Sequence, residues 1–125
     1  MVVKNYDIKT VRKIIGTAVT SLGLGAVPSN FKRWVTFVRT HDESDVRQYL
    51  YLISTTGEVY ASTLSRASAA AKMKILLNPR DSVQVPQTGP TSPDFPLFSI
   101  AADKYLTCLT SQGDAEVEIQ YYDEG

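Results

Sequence analysis

Cysteine and histidine are almost missing from this 125-residue chain: each occurs once, as Cys108 and His41. An internal disulfide needs two cysteines and structural zinc needs a set of Cys and His ligands, so neither is expected. An excess of one charge is missing too. Thirteen Lys and Arg balance thirteen Asp and Glu, which argues against a general nucleic-acid binder, whose affinity comes from clustered basic residues. No apolar run approaches the roughly 18 residues of a membrane-spanning helix. No charged segment followed by an apolar stretch opens the chain, so neither a secretory signal nor a membrane partner is expected. What is present is enough apolar material for one domain: 43% of residues are hydrophobic and 10% aromatic, well above the range of disordered chains.

The period of that material is two. Met73, Ile75 and Leu77 alternate with Lys72, Lys74 and Leu76, and Val117, Ile119 and Tyr121 alternate with Glu116, Glu118 and Gln120. These are half-buried strands of antiparallel sheets. Residues 33–40 and 48–55 are rich in β-formers and apolar on both sides, which suits central strands or strands at a subunit contact. Further strands are expected over 82–85, 95–100 and 105–110. Pro28-Ser29-Asn30, the segment 41–45, Thr56-Gly57, residues 78–81 and Gln112-Gly113-Asp114 punctuate them. Short strands separated by turn signals predict an all-β fold: an antiparallel β-sandwich, jelly-roll-like, with short connections. The boundaries read as an N-terminal arm over residues 1–10 and a single sandwich domain over 11–125.

Residues 11–22 keep helical spacing at Val11, Ile15, Ala18 and Leu22, yet they are full of β-branched side chains with Gly16 in the middle. Both features disfavour a helix, Gly by about 1 kcal/mol, so one strand is expected. Residues 64–71 read as a connection. Pro86 to Asp94 holds three of the six prolines and almost nothing apolar. It cannot be a central strand; Gln87, Thr88, Gly89, Pro90 and Thr91 form a candidate protruding loop.

Chemistry is sparse. The segment His41-Asp42-Glu43-Ser44-Asp45 has the residue types of a catalytic or metal site, but one histidine beside three acids on a turn is the ordinary make-up of a solvated loop. It also lacks the ligand ladder of a calcium loop. Cys108 sits mid-strand as a small buried hydrophobe. Gly23-Leu24-Gly25 lacks the residues of a phosphate cradle and reads as a turn. No catalytic residue, metal ligand or cofactor is assigned, and the chain reads as a non-enzyme. Aromatic and basic residues interleave at Lys32, Arg33, Trp34, Phe37 and Arg39, with Arg47, Tyr49 and Tyr51 further on. Stacking on such rings can hold single strands, but the same rings serve equally as core. Seven tyrosines, each with an apolar body and a polar tip, suit half-buried faces and subunit contacts. Trp34, Phe37, Tyr49 and Tyr51 are the candidate interface. If Trp34 is also core, its truncation to Ala should cost about 3–5 kcal/mol.

The run from Gly16 to Arg33, with its Val27-Pro28 turn before a basic strand start, resembles the opening of small β-sandwich virion proteins of tailed bacteriophages. The ending from Gly113 to Tyr122 is similar to their closing strand. Asn78-Pro79-Arg80-Asp81-Ser82-Val83 resembles the turn before their penultimate hairpin. The Pro-rich segment at 86–94 departs from that pattern. The resemblance implies a capsid-decoration, head-fibre or tail-associated role, commonly as a trimer, and brings no catalytic residues. The expected partners are then a second copy of the chain, as a homotrimer, and the major capsid protein or another virion protein, with the virion as location. A small glycan- or receptor-binding module using exposed tyrosines and the Pro-rich loop is the alternative.

Overall fold

The computed structural model describes residues 6–17, 20–56, 71–90 and 94–125. Among them run nine strands: β1 (Lys9–Ile15), β2 (Thr20–Ser21), β3 (Lys32–Asp42), β4 (Gln48–Thr55), β5 (Ala71–Leu77), β6 (Ser82–Val85), β7 (Phe98–Ile100), β8 (Tyr105–Thr110) and β9 (Ala115–Glu124). One sheet has the order β1-β9-β3-β6, with β7 also pairing β3, and the other has the order β2-β8-β4-β5. Every pairing is antiparallel. Set side by side, the two orders match β1 with β2, β9 with β8, β3 with β4 and β6 with β5. The chain therefore changes sheet at every connection except β4–β5 and β6–β7. That winding is a jelly roll, two Greek keys closed face to face.

Alternation along each strand fills the space between the sheets. Val35, Val38, Leu50, Leu52, Ile75, Leu77, Ile100, Leu106, Cys108, Val117 and Ile119 belong to one buried cluster. Burial pushes the Cys108 thiol up to about 12, so it packs as an uncharged side chain at neutral pH. A smaller cluster of Tyr51, Ile53 and Leu109 lies on the opposite face of the second sheet. On β3 the register shifts between Val35 and Phe37, where Thr36 has no Cα partner on β9. This bulge turns Val35 and Val38 both inward and leaves Trp34 and Phe37 both on the outer face. It is the physical source of a strand that reads as apolar on both sides.

The single strand expected over 11–22 is two strands in different sheets. Ile15 enters the core at 2% exposure and the chain then leaves the first sheet at Gly16. The Gly16 carbonyl accepts a hydrogen bond from Thr110 N at 3.0 Å. A Cβ on Gly16 would stand 3.0 Å from Asp114 Oδ1, so a larger residue at the crossing requires the Asp114 side chain to shift. At the other edge, Lys9 is in register with Tyr121, so pairing starts inside the segment read as an arm. Tyr6 stacks edge-on against Tyr122 with ring centroids 4.7 Å apart and donates its hydroxyl to Asp94. That hydrogen bond, first among its causes, raises the Tyr6 pKa to about 12. The segment expected as a strand over 95–100 is shorter, because Pro96 has no N–H to give; the first bond to β3 is Leu97 N to Val35 O at 2.8 Å. The 64–71 connection lies outside the described residues except for Ala71.

Both ends of β3 carry a buried charge. Arg33 is 3% exposed and grips Asp123 with two bonds, Nε to Oδ1 at 2.8 Å and Nη2 to Oδ2 at 3.0 Å. Its Nη1 donates to the Gly25 carbonyl at 3.2 Å, and its guanidinium lies 5.0 Å from the Tyr121 ring centroid. Gly25 holds φ +74, a conformation that suits glycine. Nine residues on, Asp42 is 0% exposed. Its Oδ1 accepts from Ser44 N at 2.8 Å, Ser44 Oγ at 2.6 Å and Gln48 Nε2 at 2.8 Å, while Oδ2 has no partner among the described residues. Gln48 continues the network: Nε2 donates to the Asp114 carbonyl at 3.2 Å, and Oε1 accepts from Gly113 N at 2.8 Å. One buried amide thus ties the β3–β4 turn to the β8–β9 turn.

Candidate functional site

The four candidate interface residues do not form one patch. Trp34 and Phe37 lie on the first sheet, Tyr49 and Tyr51 on the second. Phe37 is 1% exposed and Tyr51 4%, so both are spent inside the chain; the sequence shows that they are apolar but not what covers them. Trp34 is half-buried on the outer face, and Tyr49 is exposed. The interleaved basic and aromatic residues are divided in the same way, and Arg33 is turned inward to Asp123. In the Pro-rich segment Gln87, Thr88 and Pro90 are exposed, whereas Gly89 is buried. Gly89 holds φ +98 and its N–H returns to the Pro86 carbonyl at 3.0 Å. Gln84 Nε2 also donates to the Gln87 carbonyl at 2.8 Å, which ties the loop's start to β6. Thr91 lies outside the described residues.

The polar segment 41–45 is disassembled by the fold. Asp42 is buried, Asp45 meets Arg80 at 3.0 Å, and His41 Nδ1 lies 2.7 Å from Ser82 Oγ. Among the described residues no three His, Cys, Asp or Glu side chains are placed to hold a metal ion. Among the described residues the His41–Ser82 pair has nucleophile-and-base chemistry that the sequence reading did not find, because 41 residues separate its members. Such a pair works on a substrate when donors are aimed at the developing oxyanion. Here the two residues face each other across β3 and β6, and neither cavity described below includes them. The rest of that face carries an ion-pair ladder: Arg12 meets Glu118 at 2.5 Å and Glu116 at 3.7 Å, and Arg39 meets Glu118 at 3.5 Å. Pairs at a wet surface of this kind contribute little to stability.

Two cavities gather the side chains that remain available. The larger, about 440 Å³, lies at the Lys32 end of β3. Phe31 and Trp34 give it rings, Ala101 and Ala102 give it small walls, and Asn30, Lys32, Glu124 and Gly125 form its rim. The Lys32 ammonium stands 5.6 Å from the Trp34 ring centroid. Phe31 is 40% exposed. The elements bring this set together from three places. Lys32 is in register with Glu124, Trp34 with Ser99, and the turn that follows β7 supplies the alanines. The smaller cavity, about 330 Å³, lies on the second sheet beside Tyr49 and Leu76, with Arg47, Gln48, Ser111 and Gln112. Lys74 Nζ is 4.2 Å from the Tyr49 ring centroid. The sequence reading found Trp34 and Tyr49 by residue type; it missed Phe31, Ala101, Ala102 and Ser111, whose only signal is the strand register. Comparison with protein-family models, curated proteins and solved structures finds no match to the chain.

Proposed function

We propose that the chain is a non-enzymatic structural virion protein, a capsid-decoration or head-associated component that assembles with itself as a homotrimer. Assembled in the host cytoplasm, it docks on the major capsid protein or another virion protein. The observation that carries this reading is a jelly roll with a filled interior and large apolar groups left outside it. Phe95 is 74% exposed and Ile14 59%, and the groove beside Trp34 is mainly apolar. Jelly rolls serve in viral capsid and lectin domains alike, and a fold alone does not choose a function. Apolar surface outside a filled core does bear on the choice, because that is what subunit contacts bury. The test is native mass across a concentration series. A trimer of the 13.8 kDa chain persisting at low micromolar concentration is expected; a monomer throughout would count against self-association.

The cavity beside Tyr49 favours a second reading, a glycan- or receptor-binding module. A ring with Arg47, Ser111 and Gln112 around it is the convergent polar set that a sugar site uses. Under this reading a glycan at about 100 times its dissociation constant adds roughly 2.7 kcal/mol of stability. That gain should vanish in Tyr49→Ala.

A further inference from the structure

Phe95 has the greatest exposure of the large apolar side chains described, at 74%, and it is not on a loose segment. Asp94 before it accepts the Tyr6 hydroxyl, and Tyr6 is itself stacked on Tyr122. Pro96 after it has its φ fixed by the ring, and Leu97 is pinned to β3 by its N–H to the Val35 carbonyl at 2.8 Å. The turn is therefore clamped on both sides of an outward-facing phenyl ring. Presenting an aromatic group on a clamped turn lowers the ordering cost of binding, and aromatic anchors seated in pockets dominate contact energies.

The complement is on the same molecule. The groove formed by Phe31, Trp34, Ala101 and Ala102 has ring faces and two small walls, with a polar rim, and its volume is about 440 Å³. Phe95 is not among its lining residues, so within one chain the ring does not fill the groove. An apolar projection and an apolar pocket at different places on one surface make a contact between copies. We infer that Phe95 of one copy seats in the Phe31–Trp34 groove of a second copy. This rests on the self-association proposed above and names the surfaces that carry it. Ile8 and Phe31, 39% and 40% exposed, add to the apolar surface outside the core. Both matter, because a stable interface buries on the order of 1,200 Å² or more in total.

The test uses two variants at exposed positions and their mixture. Phe95→Ser removes the projection, and Ala101→Arg fills the groove. Native mass is read across concentration, with thermal melting as the control for folding. Each variant alone should associate about 30-fold more weakly or worse, the scale of losing an aromatic anchor. An equimolar mixture should recover a heterodimer, because Ala101→Arg still carries Phe95 and Phe95→Ser still carries an open groove. A wild-type oligomer left unchanged by both variants overturns the inference and leaves self-association standing. A wild-type chain that is monomeric at every concentration overturns both. Loss in each variant with no recovery on mixing also overturns it, since the two residues would then act in separate contacts.

Discussion

The two ends of β3 differ in what they leave available. At Asp42 the buried carboxylate is closed over by Ser44 and Gln48, and Gln48 in turn holds Gly113 and Asp114. The two turns there are packed so closely that a Cβ on Gly113 would stand 2.7 Å from Ser44 Cβ. At Lys32 the buried charge is equally well held, by Asp123 and the Gly25 carbonyl. That holding is done on the inner face. On the outer face beside it Trp34 stays half-buried and Phe31 exposed around an apolar groove. A buried charge thus fixes each end of the strand. The Lys32 end, where the closure is confined to the inner face, keeps a mainly apolar groove outside it, whereas the cavity next to the Gln48 network is lined mostly by polar side chains.

The comparison can be broken by truncation at each end, followed by urea denaturation. Arg33→Ala should have the largest effect, about 3 kcal/mol, because Asp123 loses its paired cation and Gly25 its donor. Gln48→Ala should cost about 2–3 kcal/mol, since the Asp42 carboxylate and the Gly113 N–H are both left short of a partner inside the protein. A loss under half a kcal/mol at Gln48 would show that the Asp42 end is not held by this network. Trp34→Ala should cost only about 1 kcal/mol, the value of part of an aromatic surface. This is less than the 3–5 kcal/mol expected of a core tryptophan, because Trp34 is on the outer face. A Trp34 loss as large as that at Arg33 would erase the distinction between anchor and groove.

A pH titration sharpens the comparison by separating both ends from the core between them. The Cys108 thiol lies at about 12 in the fold against 9.0 when exposed, so the folded state holds its proton longer than the unfolded state does. Stability from this source is present below pH 9 and is lost as pH rises from there toward 12, by about 1 kcal/mol at pH 10. Cys108→Ala should remove that part of the alkaline loss. An identical alkaline profile in the variant would assign the loss to other groups.

The strands were largely legible. Gln48–Thr55, Ser82–Val85 and Tyr105–Thr110 begin and end where the alternation and the turn residues place them. Local pattern is enough at Gln48–Thr55 and Ser82–Val85 because each of these runs has turn residues on both sides. It fails at 11–22, where both halves are β-branched and the cause of the break is distant: Ile15 is in register with Ala115. It fails again at Thr36, whose bulge decides which side of β3 Trp34 and Phe37 occupy. The groove was half legible. Trp34 stands out as the single tryptophan, but Ala101, Ala102 and Glu124 reach it only through the pairings of β7 and β9 with β3. Phe95 reads as the start of a strand, and only the clamp between Tyr6 and Val35 shows it as a presented ring.

Hydrogen exchange at peptide resolution, comparing dilute with concentrated wild-type protein, tests the contrast between the two ends most directly. Concentration should slow exchange in the segments around residues 30–34, 94–97 and 101–103 and leave residues 42–48 and 110–114 unchanged. New protection confined to the Tyr49 and Leu76 face, or at neither end of β3, would contradict it.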